Sequence, residues 1–162
     1  REGNRASGLR GKLRGYLPQH LPEWFAPESP DSGRSRRVGP FEEAYPMTSD
    51  GAIVVVPTPG HTPFHLSVMV MIQGKRYFLA GDASYSQDAL LNQVTDGVSP
   101  DPLSAKRTLS RILALASSRP LTYLPSHDPD AVGRLAEGLA IPGAYAAGAL
   151  MTFHSSGRRA GA

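Results

Sequence analysis

Three residues able to bind a metal or move a proton share one placement along the chain. His61 lies in Pro57-Thr58-Pro59-Gly60-His61-Thr62, Asp82 in Gly81-Asp82-Ala83-Ser84-Tyr85, and His127 in Leu124-Pro125-Ser126-His127-Asp128. Each follows a short apolar run that reads as a strand. Two imidazoles and a carboxylate are the ligand set of a hydrolytic zinc centre. The chain has no cysteine, so thiolate sites and disulfides are excluded. Taken singly, each residue has a blander reading. A His in a Pro/Gly loop commonly steadies the loop, an Asp after a strand commonly caps a turn, and Asp128 and Asp130 read as helix-start residues. Their joint placement is what points to a site.

That placement depends on strand direction. Ala52 to Val56, Leu66 to Ile72, Lys75 to Ala80 and Leu121 to Leu124 are rich in β-branched and aromatic residues and bounded by Gly or Pro, as strands are. Gln73-Gly74 makes a tight turn between the second and third. Ser84 to Asn92 holds a short helix. Asp101-Pro102 opens a longer one, with Asp101 as cap, Pro102 in the first turn and an apolar stripe at Leu103, Leu109, Ile112, Leu113 and Ala116. Asp128 to Leu139 is a final helix, capped by Asp128 with Pro129 just inside. If the first three strands are antiparallel neighbours, the first and third run the same way. The long helix then makes the fourth parallel to the third. His61, Asp82 and His127 emerge at one sheet edge, where open α/β sheets place ligand sites.

The remaining sequence bounds the answer. At 162 residues the chain suits one domain, and its 15 prolines and 17 glycines favour short elements joined by loops. The net charge is +3, but eight of the 17 Lys and Arg fall in the first 37 residues, several in Ser32-Gly33-Arg34-Ser35-Arg36-Arg37. Such a stretch reads as a solvated segment rather than a nucleic-acid footprint. No apolar run is long enough for a membrane span, so neither nucleic acid nor membrane is an expected partner. Lack of cysteine fits a reducing compartment, and a cytoplasmic location is expected. Tyr16 to Phe25 holds the single Trp among prolines and reads as an ordered loop that packs its rings elsewhere. Arg34 to Asp50 reads as further loop. The chain opens on Arg1 and its first Met is Met47, which predicts a start inside a longer protein.

Thr58-Pro59-Gly60-His61-Thr62-Pro63-Phe64-His65, then Gly81-Asp82, then Ser126-His127, resembles the second half of the metallo-β-lactamase superfamily pattern. The resemblance implies an α/β fold, a partial αββα sandwich with one sheet, flanking helices and the N-terminal half missing. It implies a centre of two zinc ions in which His61 serves one, His127 the other and Asp82 both. His65 resembles a supporting residue of the motif, and Phe64 departs from the Gly common there. Tyr85 resembles the tyrosine with which the N-acyl-homoserine lactonase branch holds the substrate carbonyl; the alternative is a ring packing at a helix start. The organisation expected is a loop-rich, pocket-lining or cap segment over 1–50, the C-terminal half of a metallo-hydrolase domain over 51–140, and an Ala/Gly-rich tail over 141–162.

The family's His-x-His-x-Asp-His motif, which supplies the other ligands, is absent from this sequence. The complete enzyme is expected to hydrolyse a small lactone or related ester by a metal-activated hydroxide, with Asp82 and Tyr85 as catalytic residues. The chain alone is expected to bind metal weakly, to have little activity and to leave one sheet face uncovered. A glyoxalase-type thioester hydrolase and a non-catalytic remnant of the fold stand as alternatives.

Overall fold

A computed structural model describes residue 24 and residues 30–143. The chain divides into two compact units, Arg1–Asp31 and Ser32–Ala162. In the first, Trp24 is exposed; the rest of the Tyr16 to Phe25 segment lies outside the described residues, as does 144–162 of the tail.

The second unit is built on one six-stranded sheet in sequence order. Its strands are β1 (Arg36–Val38), β2 (Phe41–Pro46), β3 (Ile53–Pro57), β4 (Leu66–Ile72), β5 (Lys75–Gly81) and β6 (Thr122–Pro125). Neighbours from β1 to β5 are antiparallel and β5–β6 is parallel, as the sequence implied for the last four. Among the described residues, three α-helices follow β5 or β6: α1 (Gln87–Leu91), α2 (Pro102–Ser118) and α3 (Ala131–Glu137). Asp101 caps α2 by accepting from the Ser104 amide, with Pro102 in the first turn. Among the described residues no helix is long and apolar enough to cross a membrane.

Period-two alternation sorts the sheet into two faces. Val54, Met69, Phe78 and Tyr123 sit opposite one another across β3 to β6 and are all buried. They share one core with Leu109, Ile112, Leu115 and Ala116 of α2. Phe41, Phe78 and Tyr123 stack with centroids 6.2 and 6.0 Å apart. The other face carries the row Val55, Val68, Leu79 and Leu124. Leu66 and Leu79 there are exposed, beside exposed Val132 and Leu135 of α3. Among the described residues, this apolar face is only partly covered, by α3.

Two expectations are corrected. The loop read over Arg34 to Asp50 contains the β1–β2 hairpin. Phe41 and Ala44 are buried three residues apart while Arg36, Arg37, Glu42 and Glu43 face solvent, and the register shifts between Arg36 and Val38. No clean alternation survives to be read. The final helix begins at Ala131, not at Asp128: one Asp128 oxygen accepts from the Asp130 amide in a turn before the helix, and the other is taken by the Gln87 amide and Arg134.

Candidate active site

His61, Asp82 and His127 follow β3, β5 and β6, which run the same way, and their side chains meet at that end of the sheet. Asp82 Oδ2 lies 3.6 Å from His61 Nε2, and Asp82 Oδ1 lies 3.3 Å from His127 Nε2. The Tyr85 ring stands edge-on to both imidazoles, with centroids 6.1 Å from His61 and 5.0 Å from His127. All four residues singled out in the sequence come together.

Each loop is pinned locally. Gly60 lets the His61 loop lie against α2, since a Cβ there would sit 2.6 Å from Ala105 Cα. The Thr108 hydroxyl holds the same loop by donating to the Pro59 carbonyl at 2.7 Å. Gly81, at φ +58°, turns the chain from β5 into Asp82, and a Cβ would crowd His65 Nε2 at 3.0 Å. The Ser126 amide donates to the Gly81 carbonyl, tying the His127 loop to the Asp82 loop. Buried Tyr123 donates its hydroxyl to Ser84 Oγ, which donates to the Ser86 carbonyl; this anchors the turn that carries Tyr85. Asp128 fixes the far side. It accepts from the Gln87 amide at 2.8 Å and from Arg134 at 2.6 Å. Burial pushes the Asp128 carboxyl up, but these bonds outweigh it and hold the group below the usual carboxylate range.

His65 supports the site from beneath. Its Nε2 accepts from the Asp82 amide at 3.2 Å, so Nδ1 carries the proton and donates to Thr58 Oγ1 at 2.8 Å. Thr58 then donates to Ser67 Oγ, which donates to the Ala80 carbonyl. Every donor in this chain has one direction left, so it holds the backbone on both sides of Gly81.

Asp96 was not visible from the sequence. It reaches His61 Nδ1 at 2.5 Å from 35 residues away. Burial pushes its carboxyl up, yet hydrogen bonds from Ser99 and His61 outweigh burial and hold it low. The loop Val94-Thr95-Asp96-Gly97 has no period or motif that could have marked it. Burial, then the charges of Asp96 and Asp82, push the Tyr85 phenol up, so it keeps its proton at neutral pH.

Among the described residues no group of three or more His, Asp or Glu side chains is placed to hold one metal ion. The arrangement is instead two pairs sharing Asp82. Ligands bound tetrahedrally at about 2.0–2.1 Å lie roughly 3.3–3.4 Å apart. The two His–Asp separations, 3.3 and 3.6 Å, are near that edge, so the donor set fits two ions with two protein ligands each.

Comparison with known proteins bears on the same region. The N-acyl homoserine lactonase AttM of Rhizobium radiobacter is 27% identical over 125 residues, covering 72% of this chain and 48% of that protein. AttM of Azorhizobium caulinodans is 29% identical over 91 residues, 56% of this chain and 35% of that protein. The chain thus spans about half the length of the curated relatives it matches. An N-acyl homoserine lactone hydrolase solved with N-hexanoyl-L-homoserine at its catalytic metal centre superposes with a TM-score of 0.50 at 22% identity. That match covers 57% of this chain and 36% of the other, a likeness of fold. The superfamily profile itself runs over residues 8–127 and takes in β1 to β6 as far as His127, so the chain belongs to the metallo-beta-lactamase superfamily.

Proposed function

We propose that this chain supplies His61, Asp82 and His127 to a two-zinc centre that hydrolyses a lactone or a related ester. The observation that carries the reading is the Asp82 carboxylate, whose two oxygens each face a different imidazole Nε2. When bound, the ions would supply the Lewis acidity that makes water nucleophilic near neutral pH and polarises a carbonyl. The chain's own residues do the rest. Asp82 holds the two halves of the site at a common spacing. Tyr85 keeps its proton and is placed to donate to the substrate oxygen as negative charge develops. The lactone preference is supported by Tyr85 and by the lactonase names of the relatives; glyoxalase-type thioester chemistry uses the same donors. A cytoplasmic location belongs to this reading too, supported by the lack of cysteine.

Two protein ligands per ion are fewer than the three or four of a tight zinc site. The chain by itself is therefore proposed to bind zinc weakly and turn over slowly. That same shortage favours a second reading, a non-catalytic remnant of the fold. Acid release from an N-acyl homoserine lactone and from a glutathione thioester, measured in excess zinc, separates the readings. The proposal expects slow, zinc-dependent lactone opening that exceeds thioester cleavage and is lost in Asp82→Asn. No zinc-dependent release from either would leave the remnant.

A further inference from the structure

The two imidazoles are not held alike. His127 is 60% exposed and packs its ring against Tyr85. His61 has its far nitrogen taken by Asp96, whose side chain is 3% exposed. Asp96 lies in the loop between α1 and α2, and each of its oxygens has a separate task. Oδ1 accepts from the Ser99 amide at 2.9 Å and from the Ser99 hydroxyl, which locks the carboxylate to its own loop. Oδ2 is thereby delivered to His61 Nδ1 at 2.5 Å. A carboxylate so engaged only accepts, so Nδ1 carries a proton, and Nε2 faces Asp82.

We propose that Asp96 is a positioning residue for His61: by holding Nδ1–H it fixes the tautomer and ring plane that present Nε2 to the space shared with Asp82. The inference rests on His61 being a metal ligand. A second carboxylate in this position orients a ligating imidazole and strengthens it as a donor. His127 meets this half of the site only across Asp82 and Tyr85, so the effect should fall mainly on His61.

The test is nitrogen-15 NMR of the histidine rings, followed across pH so that the neutral form of each ring is the one compared. It is run first without metal and then during addition of Co2+. Asp96→Ser keeps a side-chain oxygen for the Ser99 turn but is too short to reach Nδ1. The metal-free chain is expected to show the Nδ1–H tautomer at His61, shifted toward Nε2–H in Asp96→Ser. The Co2+ concentration that broadens His61 should rise roughly 10–100-fold in Asp96→Ser, with His127 little changed. Ser99→Ala and thermal melts of each variant report any loss of the loop itself. An unchanged tautomer and unchanged Co2+ response in folded Asp96→Ser would overturn the proposal. If Co2+ reaches neither histidine in the unaltered chain, the metal reading fails, and the metal-free tautomer still decides the role of Asp96.

Discussion

Asp128 offers the sharpest test of how the site loops are held. Its carboxylate is 6% exposed and its partner Arg134 is 11% exposed, with 2.6 Å between them. Removing one member of a buried pair costs about 3–5 kcal/mol, because the other charge is left uncompensated. Asp128→Asn keeps an oxygen for the Gln87 amide, and Arg134 keeps the Tyr123 carbonyl at 3.3 Å. The lower end therefore applies, about 3 kcal/mol, or roughly 6–12 °C in Tm for a chain of this size. Urea unfolding followed by circular dichroism measures it. A cycle with Arg134→Met should return a coupling above about 1 kcal/mol. The pH dependence has a definite sign. The folded carboxyl titrates below its unfolded value of about 3.9, so its contribution is full above that value and disappears as pH falls through the folded one. The gap between native chain and variant should be constant from neutral pH to about 5, then close in acid. A loss under about 1 kcal/mol at neutral pH, or a gap that persists in strong acid, would refute the reasoning.

Other outcomes follow from the same structure. Phe78→Ala removes the middle ring of the Phe41–Phe78–Tyr123 stack and should cost about 3–5 kcal/mol in urea unfolding. Gly60→Ala pushes a methyl into the Ala105 backbone, so it should destabilise by about 1–3 kcal/mol and weaken the zinc response of His61 more than that of His127. His65→Ala strands the Asp82 amide and should cost about 1–3 kcal/mol, checked by the same unfolding assay. Tyr85→Phe should lower the zinc-dependent lactone rate about 100-fold or more while zinc binding holds, measured by acid release.

Much of the frame could be read directly from the chain. Helix α2 begins and ends where Asp101-Pro102 and Arg119-Pro120 say it should, because cap and breaker chemistry are local. Strands β3 to β6 fall within a residue or so of their apolar runs, and their directions follow from turn and crossover rules, which is why His61, Asp82 and His127 could be placed together; Tyr85 was singled out by the family resemblance. The hairpin at β1–β2 could not be read, since its buried Phe41 and Ala44 break alternation and its charges face water. Asp128 resembled a helix cap in sequence, yet its partners Gln87 and Arg134 are set by tertiary packing. Asp96 is the extreme case: a hydrogen bond spanning 35 residues leaves no trace in local spacing.

The most direct check on the shared-carboxylate geometry is a zinc titration of the folded chain, watching the Nε2 nitrogens of His61 and His127 by NMR. Both should shift together in the weak-binding range, and Asp82→Asn should abolish both responses. Two independent responses, each indifferent to Asp82→Asn, would contradict it.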